Sequence, residues 1–455
     1  MKNKVKLLYA LCFTAIVGCK TGDDLYISPN NPLEGNLPSM LTAIEVNSFQ
    51  NVEGDLSRMS SIMVQHSVGL NAQYSDVQNY RITQGDFDNV WIGLYSNTMY
   101  NLKLMIDKSQ IAETKSPYYT GIGKIMMALN ISLATDLWGD VPYSDAFQWM
   151  SGNKTPKLDT QQDIYKSIDN LLGDAITDLS VTANSNYYLP GEEDLIYKGN
   201  VKLWIKAAYT LRARFLNRTS AKVAGTEAKV LEYLSKGISS NAENMIAPHD
   251  GNSQNQWGAF QNTRDGYMGA SKLFVDRLVA KNDPRLAYFL STNSEDKFVG
   301  GDITEESIDP DVSIIGPFFD VASNFPIITY YEAKFIEAEV KQRQGANAAA
   351  ILNAAISANV EYVTKGEESA AAVANYAQAS KTDILTEKWV ALYNQGIEPY
   401  NDYRRTGIPV LTPRPQSAGA TMSIIPKRFP FPQTTTLYNP NAKNIPMDVA
   451  VWWGM

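Results

Sequence analysis

Apolar residues along this chain recur mostly three and four positions apart, over runs too long for strands, so helix is the dominant expectation. Residues 37–52, 55–68, 87–106 and 118–137 carry this period, and their connectors hold Gly, Asn, Asp or Pro. Residues 33–137 therefore predict paired antiparallel helices. The last of them has little polar surface: Ala128, Leu129, Ile131, Leu133, Ala134 and Leu137 imply burial on more than one side. Gly139 lets the chain leave that helix, and Pro142 forbids its continuation. Between the second and third helices, 69–86 is too polar for core and reads as a loop carrying Asn71, Tyr74, Tyr80 and Arg81.

Further on, 159–179 predicts an amphipathic helix with Asp159 or Thr160 as its N-cap. Residues 199–218 predict another, with Trp204, Ala208, Leu211 and Phe215 as its core stripe and Lys202, Lys206 and Arg214 on the other side. Arg212 and Arg218 flank that stripe, where their charged heads need carboxylate partners. Residues 242–269 break the pattern and hold Trp257, Phe260, Arg264, Asp265 and Tyr267; the Trp is either a loop anchor or a ligand platform. Helix returns at 271–281. Residues 292–326 bring eight carboxylates against Lys297, and Asp309 and Asp311 lack the spacing of a twelve-residue calcium loop. Helix 329–344 is apolar on two flanks with Glu332 and Glu339 between them, so it predicts a sandwiched helix whose acids pair with arginines such as Arg212. Residues 346–363, 370–379 and 383–394 complete the helices. Prolines from Pro409 to Pro432 predict a tail that wraps the body in extended segments.

The first residues change the picture from fold to place. Lys2, Lys4 and Lys6, an apolar run from Leu7 to Val17 too short to span a bilayer, and Gly18-Cys19 predict a lipoprotein leader, 1–18, with Cys19 lipidated. Residues 19–32 then read as a polar tether and 33–455 as one body. Cys12 leaves with the leader, so the mature chain has a single cysteine and no internal disulfide. Loss of three lysines and no acid takes the formal charge from −8 to −11, which disfavours nucleic acid and leaves membrane attachment to the lipid. The 25 Tyr and 8 Trp supply rings suited to sugar or peptide contacts, or simply a Tyr-rich secreted surface.

Ordered motifs then agree with one another. DLWGDVPYSDAF (Asp136–Phe147), DLIYKGN with Trp204 (Asp194–Asn200), NDPRL (Asn282–Leu286), ITYYEAKFIEAEV (Ile328–Val340), EKWVALYNQGIEPYNDYRRTGIP (Glu387–Pro409) and RFPFP (Arg428–Pro432) resemble the SusD/RagB family of outer-membrane nutrient-binding lipoproteins. Asp23 and Asp24 resemble the surface-export signal of such lipoproteins. Thr434, Thr435 and Thr436 depart from the family, whose members usually place a Glu shortly after the Pro-rich strand. The resemblance implies an all-α fold of tetratricopeptide-like helix pairs with long irregular ligand-binding segments. It also implies a non-catalytic lid on a SusC-like TonB-dependent transporter, lipid-anchored in the outer membrane and facing the exterior, that captures oligosaccharide, or in some branches peptide, for import. Nothing in it calls for a cofactor or a metal ion.

Rival readings are a glycoside hydrolase on a helical scaffold and a pure protein-binding scaffold. Hydrolysis needs two carboxylates at about 5–9.5 Å across one bond. Glu332 and Glu339 stand two turns apart, roughly 10 Å of rise, a poor match. His66 and His249 are the only histidines, and no GxSxG elbow or phosphate loop is present. From composition and context, the expected ligand site combines Asn71, Tyr74 and Tyr80 with Trp257, Arg264, Asp265 and Tyr267 on one face.

Overall fold

The structure, a computed structural model, describes residues 35–455; the leader, Cys19 and the tether lie outside the described residues. Helix α1, Leu37–Glu53, starts where Asn36 accepts a hydrogen bond from Ser39 N (2.9 Å). Helix α2, Asp55–Met63, ends short of the expected Val68, because Gln65 turns with φ 56° and the chain leaves as a strand. Helix α3, Ala72–Gln78, lies inside the expected polar loop, since Tyr74 and Val77 give it a buried face. Helix α4, Asp88–Ile92, runs through a π-helical stretch, Gly93–Met99, into α5, Tyr100–Ser109. Helix α6, Pro117–Trp138, is the central rod, with every residue except Lys124 buried. Helix α7, Gln161–Leu179, is capped by the Thr160 hydroxyl, which accepts from Asp163 N (3.2 Å).

Helix α8 is Val201–Arg218, α9 Glu227–Lys236, α10 Gln256–Thr263, α11 Lys272–Ala280 and α12 a single turn, Leu286–Phe289. Helices α13, Tyr330–Arg343, α14, Ala349–Thr364, α15, Lys381–Ala391, and α16, Ile397–Thr406, complete the body. The alanine-rich stretch 370–379 is a single 3₁₀ turn, Ala370–Ala372, rather than a helix. Asn353 explains this: its side chain bonds both Tyr376 N (2.9 Å) and Tyr376 O (2.8 Å), which draws that backbone away from helical pairing. Four short strands occur among the described residues: β1 Ser67–Gly69, β2 Met245–Ala247, β3 Met268–Ala270 and β4 Phe325–Ile328. They form two antiparallel ribbons, β1 with β3 and β2 with β4.

Helix α6 packs between α5 and α7, α7 on α8, and α8 on α9; α13 joins α8 and α9 to α14 and α15. The architecture is thus all-α, built from stacked helix pairs. Because α8 is covered on more than one side, its second face is buried too. Arg214, expected at the surface, is buried with Glu332: Nε donates to Oε1 at 2.8 Å, and Nη2 makes a second, shorter bond to Oε2. Arg218 bridges Asp136 of α6 and Glu398 of α16. Arg405 clamps Glu339 through two bonds of 2.6 Å, with Arg343 at 3.0 Å beside it. Arg212, expected to serve these glutamates, instead pairs with Asp169 of α7 at the surface (2.7 Å). With Lys388 of α15 paired to Asp402 of α16 (2.8 Å), a buried ionic network fastens α6, α8, α13, α15 and α16 together.

The tail closes over the end of α6. Phe429 N bonds Leu137 O (3.0 Å), and the Trp138 indole donates to Pro430 O (2.7 Å). Beyond Pro432 the chain is not extended as expected but forms a short helix, α17, Gln433–Tyr438. Its first turn is held by Asp88, whose Oδ1 accepts from Thr434 N (2.9 Å) and from the Thr434 hydroxyl (2.8 Å). Of the three threonines that depart from the family pattern, Thr434 thus takes an acidic partner from α4.

Candidate functional site

Trp91 and Tyr95 sit one turn apart where α4 enters the π-helical stretch, and their rings stack with centroids 4.3 Å apart. Trp91 rests edge-on against the buried Trp138 (5.3 Å), so the stack is seated on the core. Residues 140–159 form the facing wall. That segment is fixed by Asp159, whose Oδ2 accepts from Tyr143 N (2.9 Å) and Ser144 N (2.8 Å), and by Tyr95, whose hydroxyl donates to Pro142 O (2.8 Å). It presents Phe147, 6.1 Å from Tyr95, and Trp149, 6.2 Å from Tyr100. Tyr438 of α17 completes the rim.

The result is a cleft of about 440 Å³ whose lining includes these six aromatic side chains and, as the only charged one among the described residues, Lys154. Trp149 is 57% exposed and Tyr438 78%, far more than core rings would be. Such a surface offers flat apolar faces with a few hydrogen-bonding groups, Ser96, Lys154, Thr435 and Asn439, at their edges. Among the described residues no carboxylate lines it, whereas glycoside cleavage uses a pair of them.

The residues expected to bind ligand are partly brought together and partly withdrawn. The β1–β3 ribbon joins the two segments, and Tyr267 O accepts from Leu70 N (2.9 Å) and Asn71 N (3.3 Å). Asn71, Arg264 and Asp265 are exposed there, with Tyr267 half-buried. Asn71 caps α3 by accepting from Ala72 N (2.8 Å), and Asp265 accepts from Gln261 (2.9 Å). Tyr74, Tyr80 and Trp257, however, do not offer free faces. The Tyr74 hydroxyl donates to Asp55 (2.9 Å) and accepts from Arg58 (2.7 Å), while its ring meets Phe260 (5.1 Å). Tyr80 lies under the tail, its hydroxyl accepting from Arg414 N (3.0 Å). Trp257 is 2% exposed and packs toward Phe319. Their polar sequence neighbours concealed two short helices, α3 and α10, that turn these rings inward. Conversely, Trp91 and Tyr95 read as ordinary helix positions. The one sequence signal for the cleft was Phe147 and Trp149 placed between Pro142 and Gly152, where no helix can hide them.

Glu332 and Glu339 are each 1% exposed and each held by its own arginine, so neither can reach a substrate. His66 is buried among Phe274, Trp389 and Tyr393, and its Nε2 donates to Trp389 O (2.9 Å); burial lowers its pKa to about 3, which keeps it neutral. Among the described residues no group of three or more His, Cys, Asp or Glu is placed to hold a metal ion. No helix among them is long and apolar enough to cross a membrane.

A family described as "Starch-binding associating with outer membrane" matches residues 29–432. The chain belongs to the SusD-like family. Solved structures agree in fold with this SusD-like chain. A SusD/RagB family protein from Bacteroides thetaiotaomicron is 24% identical, with 93% of this chain and 100% of that one covered and a TM-score of 0.76. A chitin-binding SusD homolog from Flavobacterium johnsoniae is 21% identical, covers 91% and 98%, and has a TM-score of 0.78. A SusD homolog from Bacteroides uniformis gives 21%, 91% and 99%, and 0.75. Among curated proteins, nothing matches the chain.

Proposed function

We propose that this SusD-like protein is a non-catalytic glycan-binding lipoprotein of the outer membrane that holds oligosaccharide for a TonB-dependent transporter. The observation that carries the reading is the aromatic cleft, an arc of rings on a rigid base with no carboxylate in its lining. A pyranose ring presents C–H faces that pack on aromatic faces, while its hydroxyls need polar partners at the periphery. Trp149 and Tyr438 supply exposed faces, and Lys154 supplies a donor. The family's starch-binding description and the chitin-binding relative both concern polymers of pyranose rings, which makes maltoheptaose and chitohexaose the natural probes. Support for the transporter and the lipid anchor comes from family membership and from the leader ending at Cys19.

Calorimetry with both oligosaccharides tests the binding claim. Trp149→Ala and Tyr438→Ala are each expected to weaken the bound sugar by about tenfold or more, ~1.4 kcal/mol. Unchanged affinity in both variants, with folding intact, removes the cleft. Release of new reducing ends during the titration would instead favour the hydrolase.

A further inference from the structure

A second cleft, of about 650 Å³, shares no residue with the aromatic one. One wall is the C-terminal turn of α14 with the residues just beyond it; the others are Tyr288 of α12 and the segment around the 3₁₀ turn Pro317–Phe319. Its volume falls within the range of small-ligand sites.

Its chemistry is mixed in a particular way. Tyr362 meets Phe318 edge-on (6.0 Å) and Tyr331 (5.7 Å), yet among the described residues its hydroxyl has no hydrogen-bond partner. Burial pushes that hydroxyl up to about 12, so it remains a donor. Lys365 caps α14 in the left-handed region, φ 54°, a conformation glycine adopts more easily, and its ammonium has no ion pair among the described residues. Glu361 receives only a long bond from Asn241 (3.4 Å), and Glu367 accepts from the Tyr288 hydroxyl (2.8 Å). Two glutamates repel an anion and the lysine repels a cation, so neither simple ion suits the cleft. Donors and acceptors side by side, next to half-buried aromatic rings, suit neighbouring hydroxyls, each of which must both donate and accept.

We propose that this cleft is a second carbohydrate subsite that binds the hydroxylated end of an oligosaccharide, a claim that rests on the glycan-binding reading. A polymer long enough to span both clefts would be retained more strongly than by either site alone.

The test is calorimetry of the intact protein with maltotetraose and chitotetraose, chains short enough to report the sites separately. Tyr362→Phe combined with Lys365→Asn keeps the ring and a residue tolerant of the left-handed region, and an unchanged melting temperature verifies the fold. Two sugars per wild-type chain are expected. The double variant should lose one site by at least tenfold, and Trp149→Ala should lose the other. One sugar per chain, lost in Trp149→Ala and untouched in the double variant, overturns the subsite while the glycan reading stands. Absence of heat with both sugars overturns both claims. Triglycine binding that disappears in the double variant would overturn the sugar assignment.

Discussion

Removing the charge of Glu332 should expose how strongly the body depends on its buried ionic network. Glu332 accepts two bonds from Arg214, and Lys388 lies 3.9 Å away. In Glu332→Gln the Arg214 guanidinium, 4% exposed, keeps Ile327 O (2.8 Å), Glu398 at 3.7 Å and a neutral amide oxygen, but loses the charge of its nearest partner. At an effective dielectric near 20 and a charge separation of about 4 Å, the lost attraction is about 4 kcal/mol. Breaking a buried pair from one side costs about 3–5 kcal/mol, which agrees. With ~2.1 cal/mol/K of unfolding entropy per residue over about 420 residues, that cost lowers the melting temperature by about 3–6 °C. Arg214→Met combined with Glu332→Leu removes both charges, and its loss should be smaller than that of Glu332→Gln alone. Scanning calorimetry of wild type, single and double variants reads both quantities. A single-variant shift under about 1 °C, or a double variant worse than the single, would refute the argument.

Acid should unfold the protein partly through Glu339. Burial alone would raise its pKa, but Arg405 outweighs that and holds the carboxyl below its ordinary 4.5. The lowered pKa contributes stability that is full above about 4.5 and lost as pH falls below it. Glu339→Gln should therefore be less stable at neutral pH and show a flatter acid limb in melting curves from pH 6 to 3; an identical slope would contradict the assignment. At the other end of the scale, His249 donates from Nδ1 to Ser253 O (2.9 Å), so its Nε2 contact with Glu53 (2.8 Å) requires one proton shared between the two. Burial pulls the imidazole down, but Glu53 outweighs it and the pKa ends above 6.5, so this stabilisation is present below that pH and fades as pH rises through the folded pKa. His249→Gln should abolish that alkaline loss in melting temperature; its persistence would assign the loss elsewhere. Trp257→Ala should cost about 3–5 kcal/mol of stability while leaving sugar affinity intact, because the ring is core; loss of affinity in a fully folded variant would restore it as a ligand platform. Cys19→Ser should release the protein from the membrane fraction, and continued membrane fractionation would defeat the lipid anchor.

Helices that bury themselves by their own composition were legible. In 128–137 the apolar residues spread around the helix anticipated the enclosure of α6, and in α8 the Trp204–Phe215 stripe anticipated its core face. Arg214 escaped because a buried arginine looks like a surface one until Glu332, 118 positions away, comes into view. The ribbons escaped as well: strands of three or four residues carry too few alternations to register. For the exposure of the aromatic rings the same limit inverted the reading. Tyr74 and Trp257 lay among polar neighbours but turn inward on α3 and α10, whereas Trp91 and Tyr95 look like core positions and line an open cleft. Exposure of a ring depends on what packs across from it, and that information is non-local. The Asn71 and Tyr267 segments do meet on one face, as expected, but through the β1–β3 ribbon that the pattern did not show.

The most direct measurement of the central claim is a crystal structure of the protein soaked with chitohexaose and, separately, maltoheptaose. The account predicts an uncleaved chain of sugar density in the cleft between Trp91 and Tyr438, with pyranose faces against Trp149 or Tyr438. Sugar bound only at a site away from that cleft, or a cleaved chain within it, would contradict the account.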